Sequence, residues 1–221
     1  MKKKILFSTA LLVTITFFQA QSQINKGSIF LGGQINFYVQ STSSATTGHA
    51  EQTTNSIGIV PSIGKAIKDN LIVGVDLLYS HYNNQAPVAV DQNNNSFGAG
   101  VFMRRYISLG KNFYVFGQGR FGGSYNTSKT NLNVPVVSDD IKGFSFDLGF
   151  YPGISYQISK RLQLETGFNN LFDINFQHSK DIQTDTGSGT VIKSNTNTFS
   201  LLTSLNNLAS FTLGFRVLLT K

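Results

Sequence analysis

From Phe144 to Tyr156 every even position is large and apolar or proline: Phe144, Phe146, Leu148, Phe150, Pro152, Ile154 and Tyr156. The odd positions are Ser145, Asp147, Gly149, Gly153 and Ser155, with Tyr151 the exception. Period 2 is the mark of a strand whose two faces meet different surroundings, because successive Cβ atoms point to opposite sides. The whole stretch, Gly143 to Ile158, is longer than an ordinary strand of a soluble sheet and long enough to cross a bilayer at a tilt, which takes about 9–11 residues. A soluble sandwich would turn the Phe face inward and charges outward. Here the second face is Gly and Ser with one carboxylate, which suits a cramped polar lumen.

The rest of the chain reads as copies of this element. Further spans are predicted at about Ser28–Val39, Asn55–Ile67, Leu71–Tyr82, Asn95–Ile107, Phe113–Tyr125, from Leu162, and Asn207–Leu219. Lys68-Asp69-Asn70, Leu109 to Asn112 and Ser159-Lys160-Arg161 read as tight turns. Gln40–Thr54, Asn83–Asn94, Asn126–Lys142 and Phe172–Asn206 read as long polar loops, the last with room for a projecting hairpin. An internal echo supports the parsing: Val60-Pro61-Ser62-Ile63 through Leu71 lies without gaps over Tyr151-Pro152-Gly153-Ile154 through Leu162. Pro61 and Pro152 fall inside predicted strands and remove ladder donors, so a bulge near the short-turn rim is expected to accommodate them.

Long and short connections alternate strictly, as in barrels with short periplasmic turns and long external loops. An open sheet would leave unpaired edges in lipid, so the spans must close. The expected fold is all-β, an eight-stranded antiparallel up-and-down transmembrane β-barrel with both termini on the periplasmic side. A soluble lipocalin-like barrel would show the same alternation, but its exterior would be polar and charged, and the Gly-rich second faces argue against it.

The first residues support export. Lys2-Lys3-Lys4, an apolar run from Ile5 to Phe18, and small residues at Ala20 and Ser22 predict a signal peptide over residues 1–22, leaving residues 23–221 as one barrel domain. Removing those three lysines leaves +4 of the +7 net charge, a mild excess with no nucleic-acid footprint. Only 13% of residues are charged and there is no Cys, so neither disulfides nor lipid attachment at Cys is expected.

Certain motifs carry a family likeness: the opening G-S-I-F-L-G-G, the two P-x-I hairpins, F-M-R-R-Y before a short turn, F-G-Q-G after it, and L-x-L-E after Arg161. With the signal peptide they resemble the outer-membrane β-barrel (porin-family, OmpX/OmpW-like) proteins of Bacteroidota. The resemblance spans essentially the whole mature chain, and its motifs are architectural. It implies a barrel in the cell outer membrane and no catalytic residues. The chain departs from such barrels at its end, where the last aromatic is Phe215. The partners expected are outer-membrane lipid and lipopolysaccharide, the barrel assembly machinery during biogenesis, and a surface ligand reached through external loops. The barrel is expected to be a monomer with no cofactor.

The inward faces supply the candidate site, a lumen charge network of Asp76, Asp147 and Glu165 against Arg104, Arg120 and Arg216. Buried charges need partners. Heights counted from the short turns place Glu165 beside Arg216 and Asp147 beside Arg120, with Asp76 in reach of Arg104. Gln34, Gln118 and Gln163 are expected to fill the gaps. An eight-stranded barrel holds little beyond its own side chains, so a structural plug is favoured over a polar pathway. His49, His81 and His178 fall at or beside predicted loops without the close spacing of metal ligands. Ser80, His81 and Asp91 are the best candidates for a lipid-modifying triad. The main expectation is a structural or surface-loop role, with a small-solute porin and a lipid-modifying barrel enzyme as alternatives.

Overall fold

The structure, a computed structural model, describes residues 24–43, 51–86, 90–133, 136–159, 161–168, 171–185, 187–203 and 211–219. The predicted signal peptide and its cleavage site lie outside these residues, as do His49 and Lys160. Ten strands are described: β1 (Ile29–Ser43), β2 (Glu51–Lys68), β3 (Leu71–Ala86), β4 (Val90–Gly110), β5 (Phe113–Asn133), β6 (Val136–Gln157), β7 (Leu162–Phe168), β8 (Phe172–Asp185), β9 (Val191–Leu202) and β10 (Phe211–Leu219).

Eight of them close a ring. β1 to β6 pair in sequence, β6 pairs β7, β7 pairs β10, and β10 returns to β1, all antiparallel. β8 takes over from β7 beside β6 at the far end from the short turns, and β9 pairs β8 there. The first two short turns have the backbone their sequences suggested. Asn70 (φ 58°), Lys111 (φ 48°) and Asn112 (φ 69°) take left-handed conformations that tight turns require and that Asn tolerates.

Registers turn the alternation into rings of side chains. Val217, Leu31, Ile63, Val75, Val101, Phe121, Leu148 and Ile174 follow one another from strand to strand on the outer face. A second outward row runs Tyr79, Phe97, Tyr125, Phe144, His178. Near the short turns Phe113 stacks on Tyr156 with ring centroids 4.7 Å apart. An apolar band between aromatic rows is the pattern of a lipid-facing barrel wall. Along β5 the band runs from Phe113 to Tyr125, about 40 Å of strand at ~3.3 Å per residue, or about 30 Å of membrane at ~40° tilt.

Three of the four predicted long loops are mostly strand. β1 runs on to Ser43 and β2 begins at Glu51; β3 and β4 extend to Ala86 and Val90, and β5 and β6 to Asn133 and Val136. The fourth, Phe172–Asn206, is mainly the β8–β9 hairpin. Above the apolar band both faces of a hairpin meet water. The side chains lose their alternation while the backbone ladder continues, so the sequence signal stops before the strand does.

The prolines are accommodated differently from expectation. Register holds at Gly33↔Pro61, and the ladder from β2 to β3 skips Val60 and Pro61; the shift lies nearer the turn, between Ala66 and Lys68. Opposite Pro152, β6 changes neighbours: Phe150 pairs Phe172 and Gly153 pairs Gly167, so three residues along β6 correspond to five on the other side. A residue without an N–H sits where the adjoining ladder is interrupted.

Candidate functional site

The inward side chains lie in layers. Nearest the short turns, Ile24, Phe30, Ala66, Ile72, Tyr106, Tyr114, Phe116 and Leu218 are buried together. Ile24 is held there by its own N–H to Asn70 Oδ1 (3.2 Å) and by the Asn70 N–H donating to its carbonyl (2.9 Å). This apolar layer forms a floor across the barrel.

On that floor stands a first charge layer. Glu165 accepts from Arg104 Nη1 at 2.6 Å and from the Tyr106 hydroxyl at 2.9 Å, and Arg216 Nη1 lies 3.3 Å from Glu165 Oε1. Arg104 Nε donates to Gln118 Oε1 at 2.6 Å. Arg216, fully buried, also reaches Ser155 Oγ (3.4 Å), and Ser155 donates to Gln163 Oε1 (3.0 Å). The guanidinium groups lie over aromatic rings: Arg216 Cζ is 4.1 Å from the Tyr106 centroid and Arg104 Cζ 4.5 Å from that of Phe116. Two cations around one carboxylate are thereby steadied by ring faces as well as by hydrogen bonds.

A second layer lies further from the floor. Arg120 grips Asp76 through Nε (3.0 and 2.9 Å) and Nη2 (2.8 Å), and Asp147 through Nη1 (2.5 Å). Its guanidinium lies flat over Gly100, where a Cβ would meet Nη2 at 2.6 Å, and over Gly122 beside it. The expected partnership of Asp76 with Arg104 does not form. Asp76 is level with Gly100 on β4 and Gly122 on β5, so Arg104 lies four residues away along β4, about 13 Å at ~3.3 Å each. Arg120 lies two residues from Gly122, and the two glycines clear its path. Arg104 turns across the lumen to Glu165 instead.

Between and beyond these layers is a partly enclosed cavity of about 350 Å³. Its lining includes Gln34, Gln118, Arg120, Asp147, Tyr151 and Asp173. Asp173 was not among the candidates, because it falls in the stretch read as loop. The signal was present: Phe172, Ile174 and Phe176 alternate with Asp173, Asn175 and Gln177, which is period 2 again.

The Ser80, His81, Asp91 constellation is not assembled. Ser80 and His81 are consecutive on β3 and face opposite sides of the wall. His81 Nδ1 is 2.9 Å from Asn95 Oδ1, and Asp91 pairs with Gln85, four residues further along the ladder. His178 Nδ1 similarly lies 2.7 Å from Asn197 Oδ1. Among the described residues no group of three or more His, Cys, Asp or Glu is placed to hold a metal ion.

Residues 8–202 match the family model described as the outer membrane protein beta-barrel domain. No curated protein matches the chain significantly. Several solved structures are similar at low identity. A major outer membrane protein from Thermus thermophilus aligns at 12% identity and TM-score 0.46, over 87% of this chain and 99% of that one. Neisserial surface protein A aligns at 18% identity and TM-score 0.38, with the same coverages of 87% and 99%. The translocator domain of the autotransporter NalP from Neisseria meningitidis aligns at 9% identity and TM-score 0.45, over 98% and 94%.

Proposed function

The chain belongs to the outer membrane protein beta-barrel domain family and resides in the outer membrane, and from that premise we propose that it is a barrel with a closed lumen that has a structural role or acts through the hairpin ends that project beyond the membrane. The observation that carries this reading is the stack inside the ring: an apolar floor, then two ion-paired layers, in a barrel wide enough for little more than its own side chains. The strands supply further support. Among the described residues four hairpins extend past the aromatic row, and in β8–β9 Gln177 to Thr184 stays paired with Val191 to Thr198, a largely polar ladder suited to meeting another molecule. Lipid and lipopolysaccharide then surround the wall, and the assembly machinery acts during insertion.

The test is conductance of the purified, refolded barrel in a planar bilayer, with Arg120→Ala alongside. Silence in both, with the barrel shown to be folded, is the expected result. Steady channels that widen in the variant would overturn the closed lumen and favour a narrow porin gated by the Arg120 layer. For the lipid-modifying alternative, the check is lipid A acyl composition in His81→Ala, and no change is expected.

A further inference from the structure

The Arg120 layer leaves negative charge unmatched. Asp76 and Asp147 share the one guanidinium, and Asp173, diagonal to Asp147, is 5% exposed and lines the same cavity, with no side-chain hydrogen bond to any described residue. Register explains why Arg120 does not serve it. Arg120, Gly149 and Asp173 are level on three consecutive strands. The Tyr151 ring lies over Gly149, where a Cβ would meet its Oη at 2.6 Å, and so stands between the two charges. The Asp173 carboxylate opens onto the cavity, so the occupant of the cavity is what supplies its donors.

Asp173 shares this part of the cavity with other oxygen-bearing side chains. Asp147 lies directly across from Asn175 and diagonal to Asp173, and such diagonals are about 7–8 Å apart between backbones. Asp147 gives Oδ2 to Arg120. Its other oxygen, the Asp173 carboxylate, Tyr151 Oη and the Asn175 side-chain carbonyl can converge on one point with several donors. Three acids against Arg120 also disfavour an anion here, and no described group has the ligand set for a metal ion. We propose that the outward part of the lumen cavity binds a small organic cation bearing a primary ammonium, held between Asp173 and Asp147 with Tyr151 and Asn175 completing its hydrogen bonds. A primary ammonium carries three donors on a compact charge, and the cavity as a whole, about 350 Å³, is within the range of small-ligand sites. This goes beyond the closed-barrel reading and does not depend on it, since a conducting barrel would hold the same cation at the same place.

The test uses the full barrel, refolded in micelles and shown to be folded by its heat-modifiable mobility. Butane-1,4-diamine is titrated calorimetrically at low salt, with tetramethylammonium as a cation without donors. Saturable binding of the diamine alone is expected. Asp173→Asn and Gly149→Ala, the latter displacing the Tyr151 hydroxyl, should each weaken it by about tenfold or more, as for loss of a charge-assisted hydrogen bond. No saturable binding to the folded wild type would overturn the proposal. So would unchanged affinity in Asp173→Asn, or equal binding of tetramethylammonium, which reduces the effect to screening. Failure of Asp173→Asn to fold would make Asp173 structural and overturn it as well.

Discussion

Arg104 and Glu165 meet at 2.6 Å across the lumen, although 61 positions separate them in the chain and two strands of the wall stand between β4 and β7. Neither is a neighbour of the other on any ladder. Closing the ring brings them face to face, and Glu165 then collects Tyr106 and Arg216 as well.

Glu165→Ala leaves two buried guanidinium groups around an empty place. Removing one partner of a buried pair typically costs about 3–5 kcal/mol. Urea-driven unfolding of the barrel in lipid vesicles should show a loss of that order. A change below about 1 kcal/mol, the scale of exposed pairs, would mean that water reaches this layer freely.

Gly122→Val should break the second layer without touching a charge, because the new side chain occupies the space in which the Arg120 guanidinium lies. The expected outcome is a barrel that assembles but has lost the ion pairs of Arg120 to Asp76 and Asp147. Urea unfolding should then show little further change when Asp76→Asn is added, a non-additivity that marks a shared network.

Leu148→Arg tests which face meets lipid. Leu148 is 49% exposed and sits in the middle outward ring, where an arginine costs about 2–4 kcal/mol in a membrane barrel. Lys193→Leu, on the β9 strand beyond the aromatic row, should leave assembly unchanged. Normal stability of the Leu148 variant in vesicles would invert the assignment of inside and outside.

Beyond the apolar band, Asp139 on β6 and Asp181 on β8 are diagonal neighbours across the ladder, with Asp140 next to Asp139 in the chain. Partial burial comes first, and the hydrogen bond and charge of Asp181 next, in pushing the Asp139 carboxyl up to about 6. The two carboxylates have no donor between them unless one holds a proton, which agrees with buried oxygens on both left without a partner. With the folded value raised above the ordinary 3.8, the folded hairpin binds more protons than the unfolded chain between pH ~4 and ~6. Local stability of the β6–β8 end should therefore fall as pH rises through that window and level off above it. Carboxyl NMR titration would locate the proton, and Asp139→Asn should abolish the pH dependence of local protease resistance.

Much of the wall was legible because alternation is local. Phe144 to Tyr156 declares two faces through the geometry of successive Cβ atoms, and tight turns declare themselves through residues such as Asn70 and Asn112 that accept positive φ. The spans, their facing and the inward charges from Asp76 to Arg216 follow from that pattern. The pairs Glu165 with Arg216 and Asp147 with Arg120 follow from counting heights on near strands.

Other features had no local signal. The paired ends of β3 and β4 carry polar residues on both faces, so a ladder of backbone hydrogen bonds continued where the side chains fell silent. Asp76 went to Arg120 and Arg104 to Glu165, because strand stagger and the space over Gly100 and Gly122 decide which side chains share a height inside the ring. Asp173 was left beside Asp147 and apart from Arg120 by the Tyr151 ring lying over Gly149. The sequence alone determined that this chain builds a closed, lipid-facing wall, since period 2 calls for a two-faced sheet and the apolar side opposite small Gly and Ser positions puts lipid outside. Only the tertiary structure decided who meets whom inside it, because contacts across a lumen depend on how the ring closes and not on any spacing along the chain.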